Sequence, residues 1–347
     1  MSRATRAIAD ALDRFGLLRL ALAARRRGLL PYRGLTVLTY HRVIEPDTVG
    51  ELDPEMIDAT PTEFDAQMAY LNEAMTPVSV EQILEARAGG RPLPPDSVLV
   101  TFDDGYLDNF ENALPILKRH RIPALFFIAT RYVTERRPFW WEAVAFLVRR
   151  CAGPTLRIEY PQVESFDLTS AAARSATTRR LCQIVKDHYG LDLDRFLDAV
   201  AAGARVPLDQ TVQQTLGDRT LMRWEQVKAL RAAGMGIGSH THGHRGIATL
   251  PPAELATDLA TSRSILESEN GESITTIAYP FGHSVESAPM VRKTVDDAGF
   301  EIGFQIAPGI NQVGPAHDAL DTRRLTVDRV LPRGLARTWM AFPFLAS

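Results

Sequence analysis

The sequence has few cysteines and no long apolar run, and each shortage excludes a class of protein. Cys151 and Cys182 are the only cysteines among 347 residues, too few for a disulfide framework or a thiolate cluster. No stretch reaches the ~18–20 apolar residues that a membrane-spanning helix requires. With 45% hydrophobic and 23% charged residues, the composition excludes disordered, collagen-like and coiled-coil chains. A metal bound here must therefore be held by histidines and carboxylates.

The net charge of −3 hides a strongly basic N-terminal segment. Residues 1–35 contain eight arginines against two aspartates, so the rest of the chain is acidic, which disfavours nucleic-acid binding. Because Arg14 and Arg19 interrupt the only candidate apolar run, the sequence predicts no secretory signal and a cytoplasmic location. We interpret residues 1–34 as a basic amphipathic segment. It either packs on the domain or makes peripheral contact, through residues 1–30, with the inner face of the membrane.

From about residue 35, short β-branched runs alternate with helical patterns, which predicts an α/β fold with a mainly parallel sheet. We expect a main domain over residues 35–335 and a C-terminal tail over residues 336–347. The alternation fails over residues 131–220, which we interpret as a helical insertion. The pattern predicts about seven strands: Leu35–Tyr40, Ser97–Phe102, Ala124–Ala129, Met235–Ser239, Ile274–Tyr279, Glu301–Gln305 and Leu325–Val327.

Polar side chains gather at the ends of three predicted strands. The carboxyl ends of strands in a closed α/β barrel build the active site, so polar residues there favour a functional role. Asp103 and Asp104 follow the strand Ser97–Phe102, where one carboxylate can bind a metal while the other transfers protons. The alternative is an Asp-Asp-Gly turn followed by a helix cap at Asp108.

Three of the eight histidines lie within five residues, after the predicted strand Met235–Ser239. His240 and His244 have the H-x-x-x-H spacing that brings two imidazoles onto one side of a turn, with His242 between them. One carboxylate and two imidazoles leave metal positions open for water and substrate. Such a site supports hydrolysis of an amide or ester, and a chance surface cluster is the alternative.

Two aromatic groups are candidates for a ligand pocket. Tyr279, Pro280 and Phe281 form a rigid turn after a strand, and their rings either line a pocket or simply end that strand. Three consecutive aromatic residues at 139–141, which include Trp141, lie at the start of a predicted helix of the insertion. Their rings either stack on a sugar or anchor the insertion in a core.

In this order, the motifs T-F-D-D-G, H-T-x-x-H and Y-P-F-G resemble those of the polysaccharide deacetylases, the carbohydrate esterase family 4 or NodB homology domain. The resemblance spans about residues 35–330 and includes the run Tyr40-His41-Arg42-Val43. It implies a distorted, TIM-like (β/α) barrel. It also implies a divalent metal, with zinc favoured and cobalt, nickel or iron as alternatives. The implied reaction removes N-acetyl groups from N-acetylglucosamine-type sugars.

The same resemblance implies a role for each motif residue. Asp103 resembles the general base of the family, whereas Asp104, His240 and His244 resemble its three metal ligands. Tyr106 resembles the residue whose backbone N–H binds the developing oxyanion, a role suited to a fixed donor.

For substrate contact, Tyr279, Pro280 and Phe281 resemble the wall of the pocket that receives the acetylated sugar. Trp141 of the insertion is a further candidate for the sugar. Thr241 resembles the residue that supports the histidine pair.

The sequence departs from the family pattern at two places. Many members have an arginine that orients the base two residues before the proline of the third motif, where this chain has Ala278. The late L-x-H histidine that serves as general acid is also missing, so His283 becomes the candidate, with His41 as the alternative. Arg323 and Arg324, just before the last predicted strand, are interpreted as a solvated basic pair, or as contacts to an anionic substrate group.

The sequence therefore predicts a metal-dependent hydrolase that deacetylates an N-acetylated saccharide in a polysaccharide or its precursor. The first alternative is a deacylase or deformylase of a lipid-linked amino sugar. The second is a saccharide-binding barrel without catalytic activity.

Overall fold

The computed structural model describes residues 34–327, together with Leu20, Ala24 and Thr338. The predicted basic segment and the predicted C-terminal tail therefore lie almost entirely outside the described residues. Among the described residues, no helix is both long and apolar enough to cross a membrane.

A closed parallel barrel forms the centre of the fold. Seven strands pair in the order β1, β12, β11, β10, β9, β6 and β5, and β5 pairs with β1 to close the ring. The predicted TIM-like barrel of about seven parallel strands is confirmed. In chain order, the strands of the described residues are β1 (Leu35–Tyr40), β2 (Arg42–Val43), β3 (Ile57–Ala59), β4 (Thr76–Pro77), β5 (Ser97–Phe102), β6 (Ala124–Ile128), β7 (Thr155–Ile158), β8 (Glu164–Asp167), β9 (Gly236–Ser239), β10 (Thr276–Ala278), β11 (Ile302–Ile306) and β12 (Thr322–Thr326).

The barrel strands are apolar on both faces because both faces are covered. β1, β5 and β6 are buried along their whole length. One apolar cluster fills the barrel and includes Val37, Leu99, Phe127, Ala278 and Phe304. A larger cluster lies between the outer faces of the strands and the surrounding helices.

Helices cover the barrel on its outer side, and their starting points are encoded locally. Thr60 and Glu63 form a reciprocal capping box at the first helix, and Ser79 and Gln82 form another at the second. A π-helical turn over Asn109–Ala113 leads into the third helix. The outer helices span Pro61–Ala74, Val80–Arg87, Leu114–His120, Trp224–Ala232, Pro252–Asn270 and Pro289–Asp297.

The insertion lies between β6 and β9 and has its own hydrophobic cluster, which continues to Tyr106 and Ala129 at the barrel. It also contains an antiparallel hairpin of β7 and β8 that the sequence analysis did not predict. In β7 exposed and buried residues alternate over only four positions, too short a run to mark a strand. The helices of the insertion span Thr130–Glu135, Trp140–Arg150, Ala171–Asp187, Leu193–Ala204 and Gln210–Thr220.

The last barrel strand begins earlier than predicted, and this corrects the interpretation of two arginines. β12 spans Thr322–Thr326 rather than Leu325–Val327, so Arg323 and Arg324 lie within the strand. Successive side chains of a strand point to opposite faces. Arg323 is therefore exposed, whereas Arg324 is fully buried, and the two do not form a solvated pair.

Candidate active site

Three predicted metal ligands lie together at the carboxyl end of the barrel. Asp104 follows β5, and His240 and His244 follow β9; all three are buried. Nε2 of His244 lies 3.1 Å from Oδ1 of Asp104, and Nε2 of His240 lies 3.5 Å from the same oxygen. One donor atom from each residue fits within 4.8 Å of the others. This spacing is consistent with a divalent metal site.

The hydrogen bonds around these side chains leave their metal-facing atoms free. Nδ1 of His240 donates to the carbonyl of Ala278 at 2.9 Å, which directs Nε2 towards Asp104. Both carboxylate oxygens of Asp104 are buried without a hydrogen-bond partner. Burial lowers the pKa of His240 to about 4, which keeps the imidazole neutral and able to ligate. One oxygen and two nitrogen donors suit zinc or a related divalent ion.

Neighbouring polar groups fix the loop that carries the histidines. Thr241 Oγ1 accepts a hydrogen bond from the backbone N–H of His244 at 3.1 Å. The carboxylate of Asp258 accepts from the N–H groups of His242 and Gly243, both at 2.7 Å. The ring of His242 pairs with Thr130 Oγ1 at 2.9 Å, so this histidine is engaged outside the metal cluster.

Several non-glycine residues at the site have left-handed backbone conformations. The φ angles are 79° at Asp104, 63° at Thr241, 48° at His244 and 63° at Phe281. Each such residue costs roughly 1–2 kcal/mol, and these conformations persist only where surrounding contacts enforce them. Two of the three candidate metal ligands, Asp104 and His244, therefore have backbone conformations that are costly for residues other than glycine.

Asp103 is held by Arg324, a contact that the sequence analysis missed. Nη1 and Nη2 of Arg324 donate to the two carboxylate oxygens at 2.6 and 2.8 Å, and both residues are buried. Burial raises the pKa of Asp103, but Arg324, together with His240 and His41, outweighs burial and holds that pKa well below its usual range. Thr39 Oγ1 accepts a further bond from Nη1 at 3.0 Å. Arg324 thus supplies, from the last strand, the arginine that is missing at Ala278.

Tyr106 follows the Asp-Asp-Gly turn and is completely buried. Its hydroxyl donates to Glu142 Oε1 at 3.0 Å and accepts from Trp141 Nε1 at 2.8 Å. The ring of Trp141 lies 4.5 Å from the ring of His244, measured between centroids, and only 5% of Trp141 is exposed. Trp141 thus packs directly behind a metal ligand, which favours the core-anchor interpretation of this side chain.

The third motif places one partly exposed aromatic beside the metal ligands. The half-buried ring of Phe281 lies 5.3 Å from the ring of His244, and Pro280 is buried next to it. Tyr279 lies in the core, where its hydroxyl donates to the carbonyl of Leu320 at 2.7 Å. This burial disfavours direct sugar contact by Tyr279.

The two candidate general acids have different surroundings. His283 is exposed, and its ring lies 6.3 Å from the ring of Phe281. His41 follows β1, and its Nδ1 lies 3.1 Å from Oδ2 of Asp58. Burial lowers the pKa of His41, but Asp58, with smaller contributions from Asp104 and Asp103, raises it to about 9. His41 therefore lies within the electrostatic field of the site.

Comparisons with known proteins match parts of this chain to one family model and to a curated relative. The family model described as polysaccharide deacetylase matches residues 90–153 and 166–303. The poly-β-1,6-N-acetyl-D-glucosamine N-deacetylase of Escherichia coli K12 is 34% identical over 96 residues, 27% of this chain but only 14% of that protein's length.

Two solved structures share the fold at low sequence identity. IcaB from Ammonifex degensii is 21% identical, with a TM-score of 0.53 over 89% of this chain and 97% of that one. The deacetylase PplD of Streptococcus pyogenes, solved with acetate, is 16% identical, with a TM-score of 0.54 over 89% of this chain and 98% of that one.

Proposed function

Because the chain belongs to the polysaccharide deacetylase family, we propose that it hydrolyses the N-acetyl groups of N-acetylglucosamine-type sugars in a polysaccharide or its precursor. The buried cluster of Asp104, His240 and His244, beside a second carboxylate paired with an arginine, is the observation that carries this proposal. The name of the E. coli relative supports a poly-N-acetylglucosamine substrate, although the match spans a small part of that protein.

A divalent ion held by Asp104, His240 and His244 would supply the Lewis acidity that polarises the acetamide carbonyl and activates water. The partnerless oxygens of Asp104 fit such an ion, and zinc suits this donor set best. The protein's own contribution is to keep all three ligands buried, with Asp104 and His244 held in left-handed backbone conformations.

Asp103 is the proposed general base. Its carboxylate is kept ionised by Arg324, so it can accept a proton from the attacking water. The backbone N–H of Tyr106 is the proposed donor to the oxyanion that forms on the acetyl carbonyl. Phe281, with its exposed edge, is the proposed contact for the sugar ring.

His41 is the proposed general acid, in preference to His283. The contact with Asp58 keeps its imidazole protonated at neutral pH, so it can protonate the leaving amine. We expect His41→Gln to lower kcat about 100-fold or more, because general acid catalysis contributes about 10²–10⁴-fold. His283→Gln serves as the matched control and should retain most of the activity; the reverse result would restore His283 as the acid.

Acetate release from N-acetylglucosamine oligosaccharides tests the proposed function. We expect release to require added Zn²⁺ or Co²⁺, to stop with a chelator, and to be abolished in Asp103→Asn. N-formyl and N-acetyl amino sugars on a lipid carrier, offered in parallel, distinguish the deformylase alternative. Absence of metal-dependent release from every N-acyl sugar would contradict the proposal and favour a saccharide-binding barrel.

A further inference from the structure

The insertion helix Trp140–Arg150 contributes a buried carboxylate to the edge of the active site. We propose that Glu142 is a positioning residue for the deacetylation reaction. It fixes Tyr106, the proposed oxyanion donor. It also fixes the loop around Asp53, which leads to Asp58, the residue that pairs with His41. This inference rests on the proposed function, but its structural part can be tested separately.

Glu142 is fully buried and uses both carboxylate oxygens. Oε1 accepts the hydroxyl of Tyr106 at 3.0 Å, and Oε2 accepts the backbone N–H of Asp53 at 2.6 Å. Nη1 of Arg42, itself buried, lies 3.5 Å from Oε1. A buried carboxylate costs free energy even when it is paired, and an apolar side chain is often at least as stable in its place. Burial raises the pKa of Glu142 to about 7, whereas Arg42 and the hydrogen bonds from Asp53 and Tyr106 act to lower it.

The first partner links Glu142 to the proposed oxyanion donor. Tyr106 also accepts the indole N–H of Trp141, and the guanidinium of Arg42 lies 4.6 Å above its ring. These contacts leave the Tyr106 side chain little freedom to rotate. Because its backbone N–H follows directly from the Asp-Asp-Gly turn, fixing the side chain also limits movement of that N–H. Trp141 packs on His244, so one turn of helix contacts both the oxyanion donor and a metal ligand.

Asp53 and Arg42, the other two partners of Glu142, link it to the proposed general acid, His41. Asp53 lies five residues before Asp58, which pairs with His41, and a short 3-10 helix over Pro54–Met56 joins them. Arg42 follows His41 in the chain, and its Nε donates to Asp108 at 2.9 Å. Glu142 thereby contacts both the side chain of the proposed oxyanion donor and the loop that leads to the partner of the proposed acid. It lies outside the three sequence motifs.

The experiment compares Glu142→Gln, Tyr106→Phe and the double variant. Tyr106 and Asp53 donate to different oxygens of Glu142, and Gln replaces one of these oxygens with an NH2 group that cannot accept, so one of the two hydrogen bonds is lost. We expect each single variant to lower kcat about 10-fold, less than the loss of a whole oxyanion donor, with KM and bound zinc unchanged. The loss of kcat in the double variant should be smaller than the two single losses combined, because both changes break the hydrogen bond between Glu142 and Tyr106.

Glu164→Gln is the matched control, since Glu164 pairs with Arg180 elsewhere in the insertion. Hydrogen exchange supplies a readout that is independent of activity. We expect Glu142→Gln to speed exchange at residues 104–107 and 50–58 but not in the barrel strands. Unchanged exchange there, or additive losses of kcat in the double variant, would overturn the inference. An inactive wild-type enzyme with faster exchange in Glu142→Gln would contradict only the proposed function.

Discussion

Arg324 pairs with Asp103, although the arginine that the family pattern places at position 278 is missing. Their two parallel hydrogen bonds lie in the buried end of the barrel, where removal of one partner leaves an uncompensated charge. We expect Arg324→Ala to lower the free energy of unfolding by about 3–5 kcal/mol and to reduce kcat strongly. Chemical denaturation and acetate release measure the two effects.

The neighbouring Arg323 provides the control for this prediction. It lies in the same strand with its side chain exposed, so Arg323→Ala should leave stability within about 0.5 kcal/mol. Arg324→Lys keeps the charge but loses the paired geometry, and we expect an intermediate kcat. Equal effects in Arg323→Ala and Arg324→Ala would show that the buried pair has no special role.

His41 and Asp58 lead to a prediction about pH. The carboxylate of Asp58 raises the pKa of His41 to about 9, so the protonated acid persists well above neutral pH. Asp58→Asn removes this contribution while burial still lowers the pKa. We therefore expect the basic limb of the kcat/KM profile to move to lower pH. Asp65→Asn is the control, since Asp65 pairs with His120 on a helix of the barrel's outer layer, and it should leave the profile in place. An unmoved basic limb in Asp58→Asn would exclude His41 as the acid.

The site residues differed in how readily the sequence revealed them. Asp104, His240 and His244 lie in two short motifs at the ends of predicted strands, a placement that indicated one carboxylate and two imidazoles. The resemblance to the family then implied Asp104 as the carboxylate ligand. Arg324 lies 221 positions from Asp103, and only the strand register brings the two together. The absence of an arginine at position 278 was the one feature of the sequence that could have prompted a search for another partner of Asp103.

Among the elements, β9 packs closely against its neighbouring strands at Gly238. A Cβ at Gly238 would lie 2.6 Å from Thr276 Oγ1 and 2.7 Å from the ring of Phe127. We expect Gly238→Ala to destabilise the protein by about 1–3 kcal/mol, because β9 must shift away from its neighbours. Since His240 directly follows β9, the same shift should weaken zinc binding.

Thermal unfolding and zinc titration measure these two effects. Gly153→Ala is the control, because a Cβ there lies 3.4 Å from its nearest neighbour, an ordinary contact. If Gly238→Ala binds zinc like the wild-type protein, β9 does not set the position of His240.

Sequence patterns were most informative for the buried strands of the barrel. β1 and β5 have the predicted bounds because both are runs rich in β-branched and apolar residues. β12 was placed three residues late, since its Thr-Arg-Arg start lacks an apolar run. The side chain of Arg324 is buried by pairing with Asp103, a long-range contact that a local pattern cannot encode.

For the whole molecule, the site lies where two hydrophobic clusters meet. The cluster between the barrel strands and the outer helices contains residues of β5 and β6, whereas the insertion cluster contains Tyr106 beside Trp141. The candidate metal ligand His244 contacts rings of the insertion through Trp141 and of the third motif through Phe281. Docking of the insertion is therefore part of assembling the site.

Metal binding should consequently stabilise the entire fold. The buried oxygens of Asp104 have no hydrogen-bond partner, so an ion that satisfies them binds the folded chain in preference to the unfolded one. At a free zinc concentration of about 100 times Kd, we expect a gain of about 2.7 kcal/mol. For a chain of this size that raises Tm by at least several degrees, measurable by scanning calorimetry before and after chelation.

A matched pair of variants separates a specific site from general zinc binding. His244→Gln should abolish the zinc-dependent rise in Tm because it removes one of three ligands. His242→Gln, two residues earlier, should keep that rise because the His242 ring pairs with Thr130 outside the cluster. A rise that survives in His244→Gln, or is lost in His242→Gln, would place the metal elsewhere.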